Sequence, residues 1–198
     1  MIVTLHGHGS WAFDEFFLWQ PYAAARGYGI LALQWWFGGG ESSSDYYTPS
    51  ELYPISECLL RTQGIQAGKA LIHGFSRGSA VIYALTALDR INEKFFSLTI
   101  ANAGGASQDY PPNLDITNGK FGLTPFAGSH WVLFCGARDP NPDRDGCPAM
   151  HHSRDWVTQL GGTVDLLIED VNAGHGGFHM TPAHVNESLD VFARLLGK

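Results

Sequence analysis

Three residues far apart in the chain have the side chains that nucleophilic acyl transfer needs: Ser76, Asp139 and His175. A serine hydroxyl is a poor nucleophile at neutral pH, so an imidazole must take its proton during attack and return it to the leaving group. A buried carboxylate then orients the ring and stabilises the imidazolium. Ser76 lies in Gly74-Phe75-Ser76-Arg77-Gly78, between the apolar run Ala70–Phe75 and a helix-prone run of small and apolar residues. In a chain with 24 glycines, a G-x-S-x-G match arises by chance about 0.2 times, so the context must carry the argument. A serine on a sharp strand-to-helix turn needs glycine two residues either side, because strand and helix crowd together there. The helix that follows would aim its free N–H groups and positive dipole end at the site.

The elements that would hold these residues alternate along the chain. Apolar runs at Ile2–Leu5, Gly29–Trp35, Ala70–Phe75, Phe95–Ala101, Trp131–Cys135 and Val164–Ile168 read as strands, too continuous for a half-exposed antiparallel sheet. Helical patterns fall between them. The first, Asp14–Arg26, is interrupted at Pro21 and closed by Gly27. The second, Pro49–Gln63, has Thr48 as N-cap and Leu52, Ile55 and Leu59 on its apolar face. Others cover Arg77–Asp89 and Met150–Leu160, and a last helix opens at Thr181-Pro182. The segment Ala103–Ser129 reads as loop with one short helix. The expectation is one domain over residues 1–198, a three-layer α/β/α sandwich on a mainly parallel sheet of about six strands. Ligands of such sheets bind beyond the carboxyl ends of the strands, where His6–Ser10, Ser76, Asp139 and the loop Asn172–His179 would all lie.

Composition narrows the partners. A net charge of −7, with 12 Lys and Arg and no basic cluster, argues against nucleic acid or an anionic membrane and leaves a small molecule. No charged and then apolar leader opens the chain, so cytoplasm is the default expectation; secretion stays open if residues precede Met1. Cys58 and Cys135 lie in apolar runs and are expected as buried thiols, with a Cys135–Cys147 bridge across one loop as the alternative.

The order Ser, Asp, His on successive strand ends resembles the α/β-hydrolase superfamily, and the resemblance covers nearly the whole chain. It implies a fold without the first two strands of that family and without a full cap domain. Within the superfamily the chain resembles small serine esterases, in the neighbourhood of feruloyl esterases and polyhydroxyalkanoate depolymerases. The resemblance implies Ser76 as nucleophile, Asp139 in G-A-R-D as the acid, and His175 in A-G-H-G-G-F as the base, with His179 outside the triad. It implies an oxyanion hole from the backbone N–H of Arg77 and that of His8 or Gly9. The implied function is hydrolysis of small to medium carboxylic esters, aromatic ones included. A serine peptidase or thioesterase on the same triad, and a non-catalytic ligand-binding relative, are the alternatives. No cofactor is implied.

Aromatic residues gather on the same loops, and Trp11, Trp36, Phe37 and Phe178 are the expected substrate-binding residues. Two metal readings fail on spacing. Asn141–Gly146 alternates oxygens like a calcium loop, but its twelfth position is His152 instead of a bidentate glutamate. The close histidine pairs lack a helical setting and a third ligand.

Overall fold

The computed structural model describes residues 1–107 and 109–198; Gln108, in the segment read as loop with a short helix, lies outside them. The chain alternates as β1 (Ile2–Leu5), α1 (Ala12–Arg26), β2 (Ile30–Leu33), α2 (Pro49–Thr62), β3 (Ala70–Phe75), α3 (Arg77–Ile91), β4 (Phe96–Asn102), α4 (Pro111–Thr117), β5 (His130–Gly136), α5 (Cys147–Gln159), β6 (Thr163–Asp170), α6 (Gly177–Met180) and α7 (Pro182–Leu195). The strands form one parallel sheet in the order β2-β1-β3-β4-β5-β6.

Each strand sends alternate side chains to opposite faces, and each face has its own core. Val3, Leu5, Ile72, Leu133 and Cys135 pack with Leu52, Val81, Met150 and Trp156 of α2, α3 and α5. Ile2, Leu71, Val132 and Phe134 pack with Trp19, Phe178, Leu189 and Phe192 of α1, α6 and α7. Both faces are therefore dry, as a parallel sheet requires. β3 lies in the interior of the sheet between β1 and β4, so the turn that follows it is braced on both sides.

Several local expectations change. α1 runs unbroken through Pro21, because the proline sits on the exposed face, where water can take the carbonyl it leaves free. α2 begins as expected, with the Glu51 carboxylate accepting from the Thr48 N–H at 2.8 Å. Its buried face, however, is Leu52, Tyr53, Ser56 and Leu60, while Ile55 and Leu59 face solvent. Cys58 is exposed. Cys135 and Cys147 are not free thiols: they form a disulfide that ties the end of β5 to the start of α5 and closes the loop carrying Asp139.

Candidate active site

The turn after β3 is as tight as its glycines imply. A Cβ on Gly74 would lie 2.4 Å from the backbone of Gly78, and one on Gly78 would lie 2.6 Å from the Leu5 carbonyl oxygen. Ser76 adopts φ 53° and ψ −115°, a strained conformation for a residue with a side chain, of the kind found at functional turns. It is held by its N–H donating to the Asn102 carbonyl at 2.8 Å. A Cβ on Gly104 would meet the Ser76 carbonyl oxygen at 2.2 Å, so the β4 loop also closes on the turn.

Asp139 and His175 come from the ends of β5 and β6. The two loops interlock: Ala137 N–H donates to the Asp170 carbonyl and Arg138 N–H to that of Ala173, each at 2.9 Å. Gly136 lets them approach, since a Cβ there would lie 2.4 Å from the Gly174 oxygen. Behind the histidine loop the Asp170 carboxylate accepts from Asn172 N–H at 2.9 Å and contacts His184 Nε2 at 3.0 Å. The hydrogen bond with His184 is the largest of the effects that hold its carboxyl below the ordinary value.

The structure brings Ser76, His175 and Asp139 into one line. His175 Nε2 is 2.8 Å from Ser76 Oγ, and His175 Nδ1 is 2.7 Å from Asp139 Oδ2. The other oxygen of Asp139 accepts from Asn141 N–H at 2.8 Å, so the buried carboxylate has both oxygens engaged. With Nδ1 donating to Asp139, the Nε2 lone pair faces the serine hydroxyl, and that arrangement can remove its proton.

The loop after β1 lies against the turn, with a Cβ on Gly7 only 3.3 Å from that of Ser76. Of the two oxyanion candidates there, Gly9 is spent: its N–H donates to the Tyr46 hydroxyl at 2.8 Å, and that hydroxyl donates to the Gly40 carbonyl. The backbone N–H groups of His8 and Arg77 make no hydrogen bond among the described residues.

A cleft of about 740 Å³ opens beside Ser76, and among the residues lining it are His8, Tyr46, Tyr47, Arg77, Tyr110 and Arg144. The expected substrate-binding residues lie elsewhere. Phe178 is wholly buried between Trp19, His73 and Phe134, because the short helix α6 turns it into the core three residues after His175. Trp11 packs on Phe13 and Trp36. Trp36 donates from Nε1 to the Ser10 carbonyl and lies under Gly40, and Phe37 packs on Tyr47 at the surface. Tyr46 and Tyr47 follow Trp36 and Phe37 in the segment after β2, and the fold of that segment decides which of its aromatics face the cleft.

His179 lies outside the line formed by Ser76, His175 and Asp139. Its ring packs on Trp19, His73 and Phe178, and burial is the largest of the effects that push its pKa down to about 3.

Among the described residues two side-chain groups have metal-ligand proximity, but neither donor set suits a cation. In Asp139, Asp145 and His175, both histidine nitrogens are engaged and Asp145 pairs with Arg144. In Cys135, Cys147 and Glu169 the sulfurs are joined to each other. Among the described residues no helix is long and apolar enough to cross a membrane.

No protein-family model matches this sequence, and no curated protein matches it either. Solved structures do resemble it over nearly its full length. TT1662 from Thermus thermophilus superposes with a TM-score of 0.71 at 18% identity, covering 100% of this chain and 89% of its own. SOBER1 from Arabidopsis thaliana gives 0.68 at 14%, covering 98% of each chain. An esterase from Pyrobaculum calidifontis gives 0.66 at 12%, covering 98% of this chain and 75% of its own. The superpositions extend over nearly the whole chain, and with its six-stranded parallel sheet between helical layers this chain has the α/β-hydrolase fold.

Proposed function

We propose that the chain is a serine carboxylester hydrolase, and the observation that carries the reading is the line from Ser76 Oγ through His175 to Asp139. As Ser76 Oγ attacks the ester carbonyl, its proton passes to His175 Nε2, and Asp139 holds the imidazolium that forms. The carbonyl oxygen becomes an oxyanion beside the N–H groups of Arg77 and His8, at the start of α3, whose dipole favours negative charge. The tetrahedral intermediate collapses, the alcohol leaves with the proton from Nε2, and Ser76 is left acylated. Water then gives a proton to Nε2 as its oxygen attacks the acyl carbon, and when the bond to Ser76 Oγ breaks that proton passes from Nε2 to Oγ and the acid is released.

The esterases among the solved neighbours support an ester as substrate, and the tyrosines lining the cleft support aromatic or bulky groups within it. The Cys135–Cys147 disulfide favours work in an oxidising compartment over the cytoplasm expected by default.

The reading is tested by 4-nitrophenyl esters of increasing chain length beside a thioester and a peptide anilide, each with wild type and Ser76→Ala. Ester turnover that disappears in Ser76→Ala, and fluorophosphonate labelling of Ser76, are the expected results. Full esterase activity in Ser76→Ala overturns the assignment. Preference for the thioester or the anilide moves the chain to another hydrolase class on the same residues.

A further inference from the structure

The side chain of Arg77 is the cation nearest in sequence to Ser76, and it enters the same cleft. Its guanidinium lies 4.3 Å above the centre of the Tyr46 ring, and Nη2 donates to Ser43 Oγ at 3.2 Å. Stacking and hydrogen bond hold the group in place, yet it meets no carboxylate among the described residues. Among the described residues Arg26, Arg61, Arg144, Arg154 and Arg194 pair with a carboxylate, while Arg77, Arg90 and Arg138 do not, and of these three Arg77 alone lines the cleft.

The other charged groups lining the cleft do not compensate it. Arg144 and Asp145 neutralise each other, and Glu41 sits exposed on the rim, 3.8 Å from His8 Nε2. The Tyr110 hydroxyl also lies in reach of the Arg77 charge: burial raises its pKa and Arg77 opposes the rise. A guanidinium fixed on an aromatic face beside a nucleophile, with N–H groups to spare, suits a planar carboxylate.

We propose that Arg77 is a specificity-determining residue that selects esters bearing a second, free carboxylate, on either the acyl or the alcohol side. This rests on the ester-hydrolase reading of the same cleft. Its backbone N–H and its side chain then have separate tasks, the first on the oxyanion and the second on the distant anion of the substrate. Since substitution by Gln or Lys keeps the backbone N–H, the side-chain role is read from a ratio of rates within each variant.

Two matched pairs supply that ratio as kcat/KM: mono-4-nitrophenyl adipate against its methyl ester for the acyl side, and 4-acetoxybenzoate against methyl 4-acetoxybenzoate for the alcohol side. In at least one pair the anionic-to-neutral ratio of the wild type is expected to fall about tenfold in Arg77→Gln, the scale of a charge-assisted hydrogen-bonded contact. Arg77→Lys, which keeps the charge without the planar fork, should fall between. Raised salt should shrink the wild-type ratio and leave that of Arg77→Gln unchanged. Ratios within about twofold of wild type for both pairs in Arg77→Gln overturn the proposal. A binding arm separates this from the failure of the esterase reading. Ser76→Ala should bind monomethyl adipate about tenfold more tightly than dimethyl adipate, and the added Arg77→Gln change should erase the difference. That result upholds the anion site even if no ester is turned over, whereas equal binding of the two adipates to Ser76→Ala refutes it.

Discussion

Two clusters in this molecule contain the same kinds of side chain, a hydroxyl, an imidazole and a carboxylate. At the strand ends they are Ser76, His175 and Asp139. On the α1 face of the sheet they are Thr4, His73 and Glu15, all buried. The difference lies in which imidazole nitrogen each partner uses. His175 places the carboxylate on Nδ1 and the hydroxyl on Nε2, so the ring can take a proton at one nitrogen while the carboxylate holds the other N–H. His73 has both partners at Nδ1: Thr4 Oγ1 is 2.8 Å away and Glu15 Oε2 is 3.3 Å away. Thr4 spends its one proton on Glu15 at 2.8 Å, so its oxygen can accept from Nδ1 in the tautomer that carries the proton there. Trp19 Nε1 also approaches Nδ1, at the longer distance of 3.3 Å. Asn102 Nδ2 covers the far nitrogen at 3.2 Å, leaving no lone pair for a proton to reach. Residue types alone do not set up proton transfer from a hydroxyl; two opposed nitrogens and an open cleft allow it. The buried set instead joins α1, β1, β3 and β4 below the turn, and Asn102 continues the connection by accepting from the Ser76 N–H.

The contrast is sharpest in a pair of hydroxyl deletions. Ser76→Ala should lower kcat/KM for a 4-nitrophenyl ester by a factor on the order of a thousand or more, with little change in stability. Thr4→Val keeps the shape and removes the hydroxyl, and should leave kcat/KM within about threefold while costing about 1–3 kcal/mol, because His73 and Glu15 are left short of a buried partner. Steady-state kinetics and urea unfolding on both variants check this. A large rate loss in Thr4→Val without a stability loss would make the two clusters one functional unit.

The charge of Glu15 separates them next. Burial raises its carboxyl, but the hydrogen bond and charge of His73, with help from His179 and Thr4, bring it below the ordinary value on balance. A depressed carboxyl adds stability that is present above its unfolded value, about 4, and is lost as pH falls through the folded one. Glu15→Gln should cost about 3 kcal/mol at neutral pH and flatten the acid side of a stability-against-pH curve. His179 acts over a higher window. Its pKa falls from 6.5 to about 3 on folding, so the fold favours its neutral form. Stability is full above 6.5 and declines by up to about 1.4 kcal/mol per pH unit below it. His179→Leu should remove that decline. Equal slopes in the variant and wild type between pH 6 and 4 would show that the ring is solvated instead.

How much of each cluster was legible follows from how local its constraints are. Gly74 and Gly78 betray the turn because a strand and helix that crowd there exclude a Cβ within five residues. Gly104 and Gly136 serve the same end, but they make room for loops distant in sequence, and nothing near them says so. The order of Ser76, Asp139 and His175 was readable because alternating strands and helices bring successive strand ends to one edge. The cleft wall was not, since Trp36 pairs back on Tyr46 in an antiparallel bridge that inverts which aromatics face Ser76. The buried cluster did leave a signal in the sequence: Glu15 shares the apolar stripe of α1 with Trp19 and Ala23, at four-residue spacing. An acid on such a stripe needs buried partners, and His73 on the central strand is one. The Cys135–Cys147 disulfide joins a strand end to a helix start, a proximity set by the packing of α5 on β5.

The smallest expected effect concerns the support of the active cluster. Asp170 contacts neither Ser76 nor Asp139 by hydrogen bond. One of its carboxylate oxygens accepts from the N–H groups of Asn172 and Ala173, and the other meets His184. It therefore fixes the start of the loop that delivers His175, and His184 anchors it from α7. Asp170→Asn keeps an oxygen for the two N–H groups and loses the charge that faces His184. The loop should hold its path less firmly, and kcat should fall about tenfold or less through misalignment of His175, with KM for a neutral ester unchanged. The sign with pH follows from the depressed carboxyl: its contribution is present above the ordinary carboxylate pKa of about 4 and disappears as pH falls through the folded value. Asp170→Asn and wild type should thus converge in stability toward acid. A kcat loss as large as that of His175→Ala would mean that Asp170 belongs to the catalytic line itself, and would erase the distinction between the residues that react and those that aim them.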